Sequence, residues 1–443
     1  MIRKNSIILF VILIVGSILR LMNLGGKPLW LDEIITALFT FGQGYKVILR
    51  ETLFSIQDIP EFFQYKEQSC YQIATFLAEQ STHPPLFFCF LHRWLGLTEN
   101  LGIGNSSFAI QLRILPALLG IIAIVLLYYL NQEAFSKKVG LASAGIIAIS
   151  PFAVYLSQEA RQYSLLLIFI AIALLALIQI LRFDQRVWLY WLIWGAANSL
   201  GAYTHYFFLL SFVAQMITLF IFLVGKSPRR LFQLFTVSLA VVLSYVPWLP
   251  TLISHFSSDK TDWLPNFDWF APIYQLLLGF IIMVVTFPVE NQPTFVQVIS
   301  GLVMLGFSGW LLYQVSIGYR KLLDNSVTQQ VTLALSLYVV IVLVQFLVII
   351  YGLEKNIAIA PRYNYIYYPA ICSLLGASLI ARTEQKSPQF SRKLFSIYGW
   401  VGIISCLFVV WNFFFLKPYF PEVTAERLNE SSEPMLIAMG YQD

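Results

Sequence analysis

An aspartate and a glutamate stand side by side in Leu29-Trp30-Leu31-Asp32-Glu33. Four more polar clusters interrupt an otherwise apolar chain. Thr82-His83-Pro84-Pro85 carries a histidine. Ser157-Gln158-Glu159-Ala160-Arg161-Gln162-Tyr163 carries an acid, a base and a phenol. Thr204-His205-Tyr206 and Pro361-Arg362-Tyr363 complete the set. Two acids can supply a general base and a second carboxylate that orients a hydroxyl or holds a cation. Arginines suit phosphate through bidentate, charge-assisted hydrogen bonds. Histidines and tyrosines position hydroxyls. Together these residues suit transfer from a phosphate-linked donor whose tail lies in a bilayer. The chain has no Walker loop and no dinucleotide fingerprint, which disfavours a soluble nucleotide donor.

Each cluster also has a plainer explanation. Asp32 and Glu33 could be solvated loop charge or the start of a helix. His83 before two prolines could punctuate a helix. Glu159 and Arg161 could form one interfacial ion pair. His205 could be a structural turn residue, and Arg362 could snorkel to the interface. Arg113 resists such a reading because it lies several residues inside an apolar run. Most Trp and Tyr near the ends of such runs read as interface belts. The weight of the chemical reading comes from all five clusters falling on one side of a membrane.

That side follows from composition and charge. Of the 443 residues, 58% are hydrophobic and 12% charged, with mean hydropathy +0.73. Too little charge exists to cover a soluble domain of this size, so the apolar excess faces lipid. The net charge of +5 shows no basic stripe of the kind nucleic acid requires. Apolar runs of spanning length occur near 6–22, 107–130, 139–156, 163–181, 187–203, 206–224, 231–250, 296–316, 331–351, 364–381 and 394–415. The first follows Arg3 and Lys4, lacks a small-residue cleavage site, and reads as a retained signal anchor. Two shorter runs, 84–97 and 272–288, read as interfacial or re-entrant helices on the outer side.

The short connections 131–138, 182–186, 225–230, 317–330 and 382–393 are basic, and the positive-inside rule puts them in the cytoplasm with the N-terminus. Cytoplasmic segments then hold 15 of the 28 Lys and Arg, and only 4 of the 23 Asp and Glu. The expectation is an all-α polytopic membrane protein, with one transmembrane domain over 1–415 and about eleven crossings. It carries a first outer loop over 23–106 with juxtamembrane helices, a second over 251–295, and an outer tail over 416–443. Charged groups near membrane depth are costly and usually functional. Cys372 and Cys406 lie in apolar runs as small hydrophobes. Cys70 and Cys89 could pair if their loop faces an oxidising compartment, although the balance of the reading is against it.

An ordered series of motifs resembles a known superfamily. It comprises Leu31-Asp32-Glu33, His83-Pro84-Pro85-Leu86, Ile110-Gln111-Leu112-Arg113-Ile114-Leu115-Pro116, Ser157–Tyr163, Thr204-His205-Tyr206-Phe207 and Pro361-Arg362-Tyr363. These resemble the GT-C-fold glycosyltransferases that use lipid-phosphate sugars, such as protein O-mannosyltransferases and lipid A aminoarabinose transferases. The resemblance implies a GT-C-type bundle in a bacterial inner membrane. It implies inverting transfer from a polyprenyl-phosphate sugar to a hydroxyl of a lipid, glycan or protein at the outer face. Asp32 maps to the family's catalytic acid and Glu159 to its second acid. Asp32, Glu33 and Glu159 are then the expected catalytic set. His83, Arg113, Arg161, Tyr163, His205, Tyr206, Arg362 and Tyr363 are the expected contacts to donor phosphate and sugar. A divalent cation, if used, would sit on Asp32 and Glu159. The 28-residue tail is shorter than the soluble part of such relatives. A transporter of lipid-linked or small polar substrates, or a non-catalytic subunit of the same fold, are the alternatives. A transporter should place its charges near mid-membrane between inverted repeats, and none is visible here.

Overall fold

The computed structural model describes residues 2–48, 52–100, 107–182, 187–256, 268–384, 386–417, 421–430, 435 and 437, and among them there is no strand. The order is α1 (Ile2–Leu21), α2 (Leu31–Thr40), α3 (Cys70–Gln80), α4 (Leu86–Asn100), α5 (Phe108–Ala134) and α6 (Lys137–Ala148). Then come α7 (Pro151–Ser157), α8 (Tyr163–Arg182), α9 (Val187–Ala202), α10 (Phe208–Leu223), α11 (Pro228–Tyr245) and α12 (Leu249–Phe256). Last are α13 (Ala271–Ile282), α14 (Thr294–Asp324), α15 (Ser326–Gly352), α16 (Tyr368–Thr383), α17 (Pro388–Val410) and α18 (Pro421–Asn429).

α8 is apolar all round and almost wholly buried, as expected of a helix surrounded by others. It packs against α5, α9, α10 and α16. By contrast α14 exposes Phe295, Leu302, Leu305 and Leu312. So broad an apolar face is not compatible with water and fits lipid.

All eleven expected spans fall on helices, but helix length alone does not reach that count. Six helical segments are long and apolar enough to cross: α5, α8, α11 continued through α12, α14, α15 and α17. α6 and α7 make a seventh as a pair bent by 63°. The reason for the shortfall is local. α9 and α10 are separated by the turn that holds His205. α16 is preceded by a 3-10 turn over Pro361–Ile366. At the α6–α7 break, Ser150 caps α7 by accepting from Ala153 N, and Pro151 opens it. Proline has no N–H and clashes with a preceding turn, so the helix cannot run straight through. The carbonyls of Ile147 and Ala148 freed by the break accept from Arg20, at 2.8 and 3.0 Å, which satisfies a buried charge within a span. Non-helical backbone inside a membrane bundle is tolerated where protein groups satisfy it. The expected interfacial helices are α4, with 15 residues, and α13, with 12.

The two ends of the bundle differ in charge. α5 carries Arg113 near one end and Glu133 near the other, and α8 runs from Tyr163 to Arg182. Arg182 donates to the Glu133 carbonyl, and Arg230 donates to Ile180 O at 2.9 Å. The basic connections 131–138, 182–186 and 225–230 therefore meet at one end, with 183–186 outside the described residues. The polar clusters occupy the other end of the same helices. Cys70 and Cys89 form a disulfide that ties α3 to α4. The sequence left this pairing open and leaned against it; the first loop folds back so that the two sulfurs meet.

Candidate functional site

Trp30 caps α2 in extended conformation, and the Glu33 side chain returns towards its backbone N–H at 3.4 Å. Glu33 is fully buried. Arg113 of α5 grips it bidentately, Nε to Oε1 at 2.7 Å and Nη2 to Oε2 at 2.6 Å. The other Arg113 hydrogens go to the carbonyls of Leu24, Lys27 and Pro28, at 2.8, 2.9 and 3.1 Å. A guanidinium has five N–H donors, and all five are engaged. The N–H of Ala160 also donates to Glu33 Oε1 at 2.7 Å. One buried ion pair thus ties α2, the 24–28 loop, α5 and the α7–α8 link together. Two expectations change here. Arg113 has no donor left for a phosphate, and Glu33 has both oxygens occupied, so both hold the site in shape.

Asp32 faces away from this clamp and is partly exposed. Its Oδ2 lies 3.7 Å from Arg161 Nη2 and 3.5 Å from Arg362 Nη2. Arg161 Nη1 also donates to the Asp32 carbonyl at 3.1 Å and to Thr36 Oγ1 at 3.0 Å. Arg161 Nη2 lies 2.9 Å from His83 Nε2. A guanidinium can only donate, so Nε2 accepts and the His83 proton sits on Nδ1, facing Ser81 Oγ at 2.9 Å. Tyr163 is buried beside this group and interacts electrostatically with Arg161. Arg362 lies over the rings of Trp30 and Tyr363, 5.1 and 5.5 Å from their centroids, a cation–π arrangement. Its Nε is buried and takes no protein partner.

His205 stands beside this group, 6.5 Å from the His83 ring and 6.0 Å from Tyr363. Its Nδ1 accepts from Phe207 N at 3.0 Å. Burial, followed by the charges of Arg161 and Arg362, lowers its pKa to about 3. Burial and the Arg161 charge hold His83 well below its usual value too. Both imidazoles are neutral at physiological pH, since a buried cation beside other cations is disfavoured. Tyr206, expected at the donor site, turns elsewhere. Its hydroxyl accepts from Trp248 Nε1 at 3.1 Å and donates to His255 Nδ1 at 2.6 Å. His255 Nε2 donates to Ala78 O at 3.0 Å. Tyr206 therefore joins its turn to α12 and α3, away from Asp32.

Glu159 reaches the Trp30 ring through Lys417. Its Oε1 takes the ammonium of Lys417. That Nζ sits 3.8 Å from the Trp30 ring centroid and 5.1 Å from the Tyr155 ring. A cavity of about 50 Å³ opens here, lined by Lys27, Trp30, Tyr155, Gln158, Glu159 and Lys417 among others. Lys27 Nζ donates to Gln158 Oε1 at 3.1 Å. Burial, then the Arg113 charge, lowers the Lys27 pKa to about 7. Lys27, Tyr155 and Lys417 belong to none of the sequence clusters, and Trp30 stands in the first of them without a role assigned there.

A divalent cation fits this arrangement poorly. Among the described residues no group of three His, Cys, Asp or Glu converges. Asp32 and Glu159, the two acids such an ion would need, each already face a cation of the chain: Asp32 faces Arg161 and Arg362, and Glu159 faces Lys417.

The family model described as dolichyl-phosphate-mannose-protein mannosyltransferase matches residues 82–253. That range contains His83, Arg113, Glu159, Arg161 and His205. No curated protein matches the chain. The crystal structure of the Archaeoglobus fulgidus oligosaccharyltransferase in complex with Zn and sulfate superposes with TM-score 0.53 at 15% identity, covering 91% of this chain and 53% of that one. The archaeal oligosaccharyltransferase AglB from the same organism, with an inhibitory peptide and a dolichol-phosphate, gives 0.53 at 13%, covering 92% and 55%. The apo form gives 0.54 at 13%, covering 92% and 56%. The chain spans a little over half the length of these structures. At such identities the likeness is one of fold, and the fold is GT-C.

Proposed function

We propose that this protein transfers a sugar from a polyprenyl-phosphate donor to an acceptor hydroxyl at the non-cytoplasmic face of a bacterial inner membrane. The observation that carries the reading is Asp32, a partly exposed carboxylate held between Arg161 and Arg362. Asp32 accepts the proton of the acceptor hydroxyl as its oxygen attacks the anomeric carbon. The bond from that carbon to the phosphate oxygen breaks in the same step, which inverts the centre. Negative charge grows on the leaving phosphate, and Arg362 meets it with the N–H donors that the chain leaves open. Arg161 is oriented for the same purpose by neutral His83 and by Thr36. Tyr363 and His205 wall the sugar side.

The matched family's described use of dolichyl-phosphate mannose supports a lipid-phosphate donor, as does the lipid phosphate bound in the archaeal neighbour. The outward orientation follows from the basic connections at the opposite end of α5 and α8. The same placement disfavours a transporter, whose charges belong near mid-bundle. The test is incubation of membranes with labelled polyprenyl-phosphate sugars and mass analysis of products. Loss of sugar from one donor, with its gain on a hydroxyl acceptor, is expected. No transfer from any member, in membranes that retain the folded protein, would defeat the reading.

A further inference from the structure

We infer that Lys417 is a tethered internal cation that takes the place of a divalent ion at Glu159 and orients that carboxylate. This rests on the proposed sugar transfer and adds a residue from outside every motif. Contacts from Phe415, Leu416 and Lys417 hold the segment after α17 against the site. Phe415 stacks on Tyr155 with centroids 4.0 Å apart. The N–H of Leu416 donates to Glu290 Oε2 at 2.6 Å. The Lys417 ammonium meets Glu159 Oε1, with the Tyr155 hydroxyl 3.4 Å away. It also lies over Trp30, the ring that Arg362 lies over as well.

A lysine seated by two aromatic faces and a carboxylate is a site in its own right. Aromatic faces favour a cation electrostatically, and the carboxylate neutralises it. The consequence falls on Glu159. Its Oε1 is taken by Lys417, while its Oε2 is buried without a protein partner. A carboxylate oxygen in that condition is available to a hydroxyl of substrate. A divalent ion would need both the space and the charge that Lys417 occupies, and the ammonium would repel it. Lys417 is thus a positioning residue acting through Glu159.

Two measurements on the detergent-solubilised full chain decide this. Mn²⁺ EPR is expected to find the same number of bound ions in the wild type and in Glu159→Gln. One more ion in the wild type than in Glu159→Gln would overturn the inference. In transfer assays with the active donor, the wild type should turn over equally, within twofold, in chelator or in Mn²⁺. Lys417→Met should lose at least tenfold in kcat with the donor KM within twofold, and Lys417→Arg should recover most of that loss. A tenfold loss of wild-type activity in chelator, or a Lys417→Met kcat within twofold of wild type, would overturn it. Should no donor in the panel be used, the transferase reading fails by itself and the Mn²⁺ comparison still decides the cation.

Discussion

Asp32 and Glu33 are adjacent in sequence and opposite in circumstance: Glu33 is sealed on Arg113, while Asp32 opens between Arg161 and Arg362. Successive side chains at a helix start diverge, so a single residue step separates an acid sealed in a clamp from one open between two arginines. The two should therefore fail differently. Asp32→Asn should express and fold normally yet transfer sugar roughly a hundred- to ten-thousand-fold more slowly, the usual contribution of a general base. Glu33→Gln should leave the Arg113 charge buried without its counter-ion, at a cost of about 3–5 kcal/mol. Its signature is lost yield and a lower melting temperature. An Asp32→Asn enzyme with near-normal turnover would show the base to be misassigned.

The three arginines of the expected donor site should also separate. Arg362→Lys keeps the charge but loses the planar group that lies over Trp30 and Tyr363 and can fork onto phosphate. We expect donor KM to rise and kcat to fall, with unchanged thermal stability. Arg113→Leu should instead deplete the protein from the membrane, because it strands Glu33 and three backbone carbonyls. Quantifying membrane-inserted protein beside activity distinguishes the two; an inactive but abundant Arg113→Leu protein would contradict the assignment.

Neutral histidines impose a pH dependence of defined sign. His205 has a folded pKa of about 3, below the ordinary value of about 6.5. The unfolded chain takes up the proton first as pH falls, so the stabilisation from neutral His205 is complete above about 6.5 and declines from there towards 3. His83 acts in the same direction. Melting temperature measured between pH 7.5 and 4.5 should fall more gently in His205→Asn than in the wild type. Equal slopes would show that His205 does not carry the effect.

Sidedness can be read with single cysteines at exposed positions. Glu61→Cys lies in the first loop near the site end, and Arg229→Cys at the basic end. A membrane-impermeant maleimide added to spheroplasts should label the first and spare the second. The Cys70–Cys89 bridge adds a chemical marker, since disulfides persist on the oxidising side. Alkylation without reductant should leave both sulfurs unmodified. Labelling at Arg229→Cys alone would invert the topology.

The sequence by itself determined the membrane setting, the sorting of basic connections from polar clusters, and the residue types of the site. Those properties are local or periodic: apolar runs of spanning length, and charge counted along short connections. It also sufficed to bring forward Asp32, Arg161 and Arg362, because charges near membrane depth need a reason. Tertiary structure alone decided what each group does. Arg113 is a structural residue because three carbonyls of the 24–28 loop and a glutamate 80 positions away saturate it. Tyr206 leaves the site because Trp248 and His255, on later elements, capture its hydroxyl. Lys417 enters it because the chain after α17 folds back onto Tyr155 and Glu290. Such roles depend on which donors and acceptors remain unsatisfied after folding, and that balance is set by partners distant in the chain.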